Sequence, residues 1–243
     1  MISALTNGLW AGAFAIGSVW TYAGVQSTET ISTLATPSET QKLSQEAGAR
    51  PASKIQPASA EPWTKIATQK DKERIQNWRE AMKEGRAAAM DSGFAAQLTA
   101  KGALYSLAGD GDGPDDQNNT VSPPPGTYRC ATTKLGGNYG SFTPYASFRC
   151  QIIEEGGRRQ FVKLTGSQRQ VGYIYQTRSG RWDVFLGSLL LGDDKALVPY
   201  GKDPSRDQAA IIQQIGAARW RMIFPYPYYE SVVDVMELTP VAQ

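Results

Sequence analysis

From Gly126 to the C-terminus the sequence is a series of short strand-like segments joined by turns of a few residues. The breaks contain the residues that tight turns select, as in Glu154–Gly157 and Gly192–Asp194. Links this short leave no room for the helix that connects parallel strands, so the sequence predicts an antiparallel meander. The candidate strands are Thr127–Lys134, Ser141–Ile153, Gln160–Thr165, Gln168–Gln176, Arg181–Leu189, Ala210–Ile215, Arg219–Phe224 and Val232–Leu238, with a short extended piece at Leu197–Tyr200.

Eight meandering strands leave two exposed edges unless they close into a barrel. We therefore predict a mainly β fold, α+β overall, with an eight-stranded antiparallel barrel over residues 126–240. The interior of a barrel of this size is filled by side chains or holds one small ligand. Two strands show the expected alternation, with Trp182, Val184 and Leu186 on one face of the first and Trp220, Met222 and Phe224 on one face of the second.

Residues 63–108 carry a helical pattern and are predicted to form a flank of the barrel. One helix is predicted to run from a cap at Asp71 through Met90, because apolar side chains recur at three- and four-residue spacing, namely Ile75, Trp78 and Met82. Asp91–Gly93 ends this helix, and a weaker helical pattern follows.

Two further segments are predicted to be connections. Residues 109–125 are rich in glycine, aspartate, asparagine and proline, and their spacing does not match the calcium-binding loop of an EF-hand, so a plain linker is predicted. Residues 25–62 are rich in serine, threonine, alanine and proline and contain no aromatic residue before the helical flank. Such a segment cannot bury enough apolar surface to offset its chain entropy, so we predict a disordered tether.

Residues 1–24 contain no charged side chain and include an apolar run of 16 residues, Leu9–Gly24. The run is shorter than the roughly 20 apolar residues that a membrane span needs, and it suits a secretory signal peptide. Because no lysine or arginine precedes it, an uncleaved membrane anchor and a merely apolar N-terminus stay open as alternatives. The first two predict a periplasmic or otherwise exported protein, tethered to the inner membrane if the segment is not cleaved.

Composition excludes several kinds of chemistry. The chain has no histidine, which excludes Ser-His-Asp and Cys-His catalysis and every histidine-ligated metal site. Its two cysteines are too few for a four-thiolate zinc or iron–sulfur site, and no dinucleotide or phosphate-loop motif occurs, so we expect no metal and no cofactor. A formal net charge of +2 does not indicate a nucleic-acid partner.

The two cysteines, Cys130 and Cys150, each follow an arginine in a predicted strand. In an exported protein such a pair indicates a disulfide between neighbouring strands, which would stabilise the fold by about 3 kcal/mol in the chain-entropy model. Two buried free thiols in a cytosolic protein are the alternative.

Several blocks of the sequence occur together in one known family. They are Pro125–Cys130, Lys134–Gly136, Lys163–Arg169, Phe185–Gly187, Tyr200–Asp203, Arg206–Asp207, Ile215–Gly216, Arg219–Arg221, Pro225–Pro227, Glu230–Ser231 and Asp234–Leu238. In this order they resemble an uncharacterised bacterial family of exported proteins, the domain of unknown function numbered 4893. The resemblance covers about Trp63 to Pro240 and implies an exported domain without an established activity. A fainter likeness to small lipocalin-type barrels concerns the fold alone.

Three groups of polar residues are candidates for ligand or partner binding. The first is a turn that presents a hydroxyl, an amide and a guanidinium suited to a carboxylate or phosphate; the alternative is a plain hairpin whose polar residues satisfy the backbone and neighbouring carboxylates. The second is a set of arginines and aspartates that either close one barrel end as an ion-pair network or bind an anion. The third is a tyrosine-rich turn that either forms a binding rim or caps the barrel. The candidates are Ser167, Gln168 and Arg169 in the first group, Asp203, Arg206, Arg219 and Arg221 in the second, and Tyr226, Tyr228 and Tyr229 in the third.

Signals for catalysis are weak. Glu154 and Glu155 are adjacent, so strand geometry points them to opposite faces. Ser167 lies four residues after Lys163, a spacing that matches no established serine–lysine motif. The sequence therefore favours a non-enzymatic exported binding module for a small ligand or an envelope protein. A hydrolase that uses carboxylates or a Ser-Lys pair and a structural envelope protein are the alternatives. We expect a monomer with no nucleic-acid partner and with membrane association only through its N-terminus.

Overall fold

The computed structural model describes residues 62–107, 122–138, 140–177 and 179–241. The predictions for residues 1–24, for nearly all of the tether and for most of the 109–125 linker lie outside these ranges. Within the described ranges, no helix combines the length and the apolar character that a membrane crossing requires.

Nine antiparallel strands form the main part of the fold in the described ranges. They are β1 (Gly126–Gly137), β2 (Gly140–Pro144), β3 (Phe148–Glu155), β4 (Arg158–Lys163), β5 (Gln168–Gln176), β6 (Asp183–Leu191), β7 (Asp207–Gly216), β8 (Arg219–Pro225) and β9 (Val233–Pro240). Strands β3 to β9 pair in chain order, and β1 closes the ring by pairing with both β3 and β9. The predicted closed eight-stranded antiparallel barrel is confirmed, with β2 as a ninth strand outside the ring.

The predicted strand Ser141–Ile153 is wrong, because the structure divides it into β2 and β3. Both strands pair with the same side of β1, β2 with its second half and β3 with its first half. The chain leaves the sheet after Pro144, whose missing N–H cannot continue a ladder, and it re-enters at Phe148. Barrel closure therefore depends on β1 changing its partner from β3 to β2 along its length. The alternation of apolar residues in the sequence does not show such a change.

The predicted extended piece Leu197–Tyr200 is also not a strand. Pro199 lacks an amide hydrogen for pairing, and the Tyr200 side chain is used elsewhere: its hydroxyl accepts from Thr68 N at 3.1 Å and donates to Asp71 Oδ2 at 2.6 Å. This segment therefore packs against the helical flank and does not extend the sheet.

The helical flank consists of α1 (Trp63–Ile66), α2 (Gln69–Gln76), α3 (Trp78–Asp91) and α4 (Ala95–Ala100), followed by a 3₁₀ turn at Gly102–Leu104. The single helix predicted from Asp71 to Met90 is therefore wrong. It is interrupted at Asn77, whose side chain donates to Glu73 O at 2.9 Å and competes with the helical ladder. The cap residue is Thr68, whose Oγ1 accepts from Asp71 N at 3.2 Å.

Two apolar clusters hold the fold together. One fills the barrel interior and includes Trp220, Met222 and Phe224, and the other lies between the helices and the outer face of the barrel and includes Val184 and Leu186. Strands β6 to β9 are therefore buried on both faces. Helix α3 approaches closely because it carries Gly85, where an added Cβ would lie 2.6 Å from Val233 Cγ1.

The Cys130–Cys150 disulfide is present, as predicted, with a Cα–Cα distance of 6.0 Å. It joins β1 and β3 inside the barrel, where both residues are fully buried. Because successive strand residues alternate in direction, the preceding Arg129 and Arg149 are exposed on the outside and lie opposite each other in register.

Replacing both cysteines with alanine is expected to lower the free energy of unfolding by about 3 kcal/mol, because the open loop gains chain entropy when the protein unfolds. Urea unfolding of the wild type and of the Cys130→Ala/Cys150→Ala variant measures the difference. In a strong reductant the wild type also loses the disulfide, so most of the difference in the free energy of unfolding should disappear. A difference under about 1 kcal/mol would show that the bond adds little to the sheet pairing of β1 and β3.

Candidate functional site at one mouth of the barrel

One end of the barrel interior is polar, in contrast to the apolar remainder. Inward positions at this end of β1, β4, β5, β7 and β9 carry polar side chains, all of them buried or nearly so. They lie on the inward face because they continue the two-residue alternation of apolar interior residues such as Cys130 and Phe161. We call this group the mouth chamber; it consists of Thr132, Lys134, Lys163, Gln168, Gln170, Gln208 and Asp234.

Lys134 is the centre of an ion-pair cluster in the chamber. Its Nζ lies 3.1 Å from Asp234 Oδ2, on the neighbouring strand in register, and 3.2 Å from Glu230 Oε2. Ser231 Oγ donates to Asp234 Oδ1 at 2.5 Å. Burial alone would lower the pKa of the Lys134 ammonium, but the two carboxylates outweigh burial and raise it. Lys134 is therefore a charged, fully paired lysine.

Lys163 is the second lysine of the chamber, and it is not paired in this way. Its side chain is 5% exposed and its Nζ lies 4.1 Å from the centroid of the Phe148 ring. Within the described ranges no carboxylate oxygen lies at salt-bridge distance from this Nζ. Burial lowers the pKa of the ammonium to about 8, with Asp234 opposing the shift and Lys134 adding to it.

This lowered pKa predicts a pH-dependent stability. The unfolded chain holds the Lys163 proton up to its ordinary pKa of 10.5, whereas the folded chain releases it near 8. Between these values the unfolded state binds more protons, so the free energy of unfolding rises with pH. We expect the wild type to gain roughly 3 kcal/mol relative to a Lys163→Met variant between about pH 8 and about pH 10.5. Urea unfolding of both proteins across this range measures the gain, and parallel pH profiles would contradict it.

Two polar atoms of the chamber have no partner in the part of the chain that the structure describes. They are Thr132 Oγ1 and Gln170 Oε1, both buried. The amide of Gln208, also in the chamber, donates from Nε2 to Asp207 O at 3.2 Å. Buried polar atoms normally have a hydrogen-bond partner in the protein, in ordered water or in a ligand. The chamber therefore has hydrogen-bonding capacity that the described residues do not use.

The loop between β8 and β9 covers the mouth of the barrel with aromatic residues. Tyr228 and Tyr229 are 54% and 37% exposed, and their ring centroids lie 4.8 Å apart. Two non-glycine residues of the loop have positive φ, Tyr226 at 44° and Glu230 at 73°. Such a conformation costs about 1–3 kcal/mol at each position and persists where the surroundings impose it. Here the ion pair of Glu230 with Lys134 holds the loop over the chamber.

The free space among the lining residues is small. The centre of a water molecule can occupy about 10 Å³ between the chamber and the Pro227–Tyr229 rim. This volume corresponds to roughly one ordered water. The site can therefore receive one small polar group in its present shape, with any larger body outside, against the tyrosines.

The structure brings together only part of the predicted site. Gln168 lines the chamber and donates from Nε2 to Glu230 Oε1 at 3.4 Å, and Tyr228 and Tyr229 form its rim. Ser167 is exposed in the turn before β5. Arg169 points outward, and its Nη2 donates to Leu191 O at 3.5 Å.

The predicted arginine–aspartate set is dispersed over separate contacts. Arg206 forms a bidentate pair with Asp194, with N–O distances of 2.7 and 3.1 Å. Asp203 accepts from the backbone N and the Oγ of Ser205 at 2.9 and 2.7 Å. Arg219 pairs with Glu237 on the outer face. Arg206 and Asp203 are linked, because Arg206 N donates to Asp203 O at 2.9 Å, whereas the pair of Arg219 is separate from them. None of these three residues lines the space at the mouth.

Arg221 and Tyr226 serve the helical flank. The Arg221 guanidinium is 1% exposed and donates to the carbonyl oxygens of Ala103, Leu104 and Ser106 and to Gln213 Oε1. Tyr226 packs against the cluster beneath the helices, where burial and a hydrogen bond to Glu84 raise the pKa of its hydroxyl. Arg221 and Tyr226 therefore attach the helical flank to the barrel.

Most of the chamber carries no local sequence signal of a site. Lys134 and Gln208 belong to none of the three predicted groups, and the sequence links Lys163 only to Ser167, which is exposed in the turn before β5. The signal that could have found them is a polar residue at an inward position of an otherwise apolar alternation, as Lys134 is in the series that contains Cys130.

The fold and the site define a class: a closed antiparallel barrel with helices on one side and a polar chamber at one mouth. The profile of the family described as "Domain of unknown function (DUF4893)" matches residues 63–238, and the chain belongs to that family. The matched region spans the helical flank and the barrel. Neither the curated proteins nor the solved structures contain a match to this chain.

Proposed function

We propose that this protein is a non-enzymatic exported binding module and that its mouth chamber receives a polar group of a small ligand or of a protein partner. The observation that carries the proposal is the set of buried polar atoms without partners, at Thr132 and Gln170, beneath a rim of exposed tyrosines. Leaving a buried polar atom unpaired costs about 1–3 kcal/mol. A bound group with matching donors and acceptors would recover this free energy, and the tyrosines would contact its body.

The cellular location belongs to the same proposal. The Cys130–Cys150 disulfide is consistent with an oxidising compartment. The expected signal or anchor at residues 1–24 and the tether at residues 25–62 would hold the domain in the periplasm, free or attached to the inner membrane. The fainter likeness to lipocalin-type barrels stays a prediction about the fold and supplies no ligand.

Native mass spectrometry of the protein purified from the envelope of its natural host tests the proposal. We expect a retained small molecule or partner in the wild type. The Tyr228→Ala/Tyr229→Ala variant should lose it, because the rim no longer contacts the bound molecule. Tyr145→Ala is the matched control, since Tyr145 is also exposed but does not line the mouth. A wild type that carries nothing, or rim variants that retain the same mass, would contradict the proposal and favour a structural role.

A hydrolase is the second candidate, and one contact favours it. Ser231 Oγ donates to Asp234 Oδ1 within reach of Lys134, so a hydroxyl, a carboxylate and an ammonium converge at the mouth. In such a site Asp234 would accept the Ser231 proton during nucleophilic attack. The wild type would then hydrolyse small esters and the Ser231→Ala variant would not, which would support a hydrolase. Equal hydrolysis by the variant would exclude Ser231 as the nucleophile.

A further inference from the structure

We propose that the group received by the mouth chamber is a carboxylate and that Lys163 is the cation that binds it. The proposal rests on the proposed function and names the chemistry of its ligand. A free organic acid and the C-terminus of a peptide present the same group, and the experiment below separates them.

The first argument is the difference between the two lysines of one chamber. Lys134 is satisfied by the carboxylates of Asp234 and Glu230. Lys163 is about as deeply buried, yet among the described residues its ammonium contacts the face of Phe148 and no carboxylate. A buried charge without an acceptor is among the most costly arrangements in a protein. The carboxylate of a bound molecule would give the Lys163 ammonium an ion-pair partner, as Asp234 and Glu230 do for Lys134.

The second argument is the chemistry beside Lys163. Lys163, Asp234 and Lys134 are buried at inward positions at one end of the barrel, and they continue the alternation of the interior residues Phe161, Met236 and Cys130. The charges of Asp234 and Lys134 both act on the Lys163 ammonium. Gln170 and Thr132 in the same chamber hold polar atoms without partners. A carboxylate oxygen that accepts from Lys163 leaves the second oxygen for a neutral donor, and the Thr132 hydroxyl, whose oxygen has no partner in the described ranges, can donate to it. The chamber therefore offers an ammonium and a hydroxyl to the two oxygens of one carboxylate.

The third argument is the shape of the site. Space for about one water molecule lies beneath the rim, and this rim of exposed tyrosines is carried by a strained loop. Gln170 lines this space and Lys163 does not. Lys163 lies beside Gln170 in the ladder, because Val162 and Val171 pair in register and the side chains of Lys163 and Gln170 are both buried in the interior. A carboxylate that displaces the water and shifts the loop slightly would reach Lys163 past Gln170, while an apolar or aromatic body stays against Tyr228 and Tyr229. A small aromatic acid has both parts, a single carboxylate for the chamber and an aromatic ring for the tyrosine rim.

Titration of isotope-labelled protein with benzoate, followed by NMR of the glutamine side-chain amides, tests the proposal, with benzamide as the uncharged isostere. We expect benzoate to bind the wild type at least about tenfold more tightly than benzamide does. Lys163→Met should weaken benzoate binding by at least about tenfold while leaving benzamide binding unchanged. Lys101→Met is the matched control, because Lys101 is exposed at the end of α4, outside the barrel, and it should bind benzoate as the wild type does.

Binding should also depend on pH in a way that adventitious anion binding does not. Because the carboxylate favours the protonated ammonium, benzoate affinity should fall as pH rises through the titration of Lys163, near pH 8, and binding above that value should take up a proton. Calorimetry in two buffers of different ionisation enthalpy measures this uptake. Equal affinities for benzoate and benzamide, or an unchanged benzoate affinity in Lys163→Met, would overturn the assignment.

A peptide arm distinguishes the source of the carboxylate. N-acetyl-Gly-Phe and its C-terminal amide are titrated in the same way, and tighter binding of the free acid than of benzoate indicates a chain terminus.

The experiments distinguish a wrong ligand chemistry from the absence of any binding function. A neutral molecule retained in native mass spectrometry and displaced by the rim variant would keep the binding module and overturn the carboxylate. Replacement of Lys163 by methionine removes a buried charge, so the variant is expected to fold.

Discussion

Replacing Arg221 with methionine should lower the free energy of unfolding by about 3–5 kcal/mol. The guanidinium is almost completely buried between the outer face of the barrel and the segment that follows α4. Its loss would leave the carbonyl oxygens of Ala103, Leu104 and Ser106 and the amide of Gln213 without this donor in an environment that water does not reach freely.

Arg219→Met is the matched control, because Arg219 belongs to the same strand but forms a partly exposed ion pair with Glu237. Exposed pairs of this kind contribute at most about 1 kcal/mol. Urea unfolding of both variants measures the two changes, and hydrogen exchange of the Tyr105 amide reports whether its segment detaches. Equal destabilisation by the two substitutions would contradict the role of Arg221 as the anchor of this segment.

Substituting alanine for Gly187 should destabilise the barrel by about 3–4 kcal/mol, at the upper end of overpacking substitutions. Gly187 of β6 and Gly172 of β5 lie opposite each other in register. A Cβ on Gly187 would lie 2.4 Å from Val171 O and 2.6 Å from Phe185 Cζ. The carbonyl belongs to the neighbouring backbone and cannot rotate away, and the Phe185 ring is packed against Phe161 and Phe224. The substitution therefore forces β5 and β6 apart.

Gly192→Ala controls for the general effect of replacing a glycine near β6. The nearest atom to a Cβ at this position is Ser167 Cβ at 3.7 Å, which is an ordinary contact. We expect its free energy of unfolding to stay within about 0.5 kcal/mol of the wild type. Thermal and urea unfolding of the two variants measure the difference. A Gly187→Ala protein as stable as Gly192→Ala would show that the sheet opens at this pair without cost.

Much of the architecture was predictable from sequence, because it depends on local rules. Strand length and turn composition predicted the antiparallel meander, and the need to remove exposed edges predicted closure. The spacing of Cys130 and Cys150 in adjacent strands predicted the disulfide. The errors occur where a non-local partner decides: β1 pairs with β2 and β3 in turn, which splits the strand predicted at Ser141–Ile153.

The candidate site was less predictable, for a geometric reason. The turn containing Ser167 and the arginines Arg206, Arg219 and Arg221 attracted attention because polar clusters in sequence are visible locally. The structure uses these arginines for separate ion pairs and for attachment of the helices. The chamber instead collects polar residues spaced along the chain, so no local motif contains them.

By itself the sequence determined the class of fold and the absence of histidine chemistry, because strand pattern and composition are properties of the chain. Only the tertiary structure decided that Lys134 meets Asp234, one hundred residues away, and that Lys163 is left without a carboxylate in the same chamber. Closure of β1 onto β9 brings those residues together, and the outcome depends on register, which sets every cross-strand partner at once.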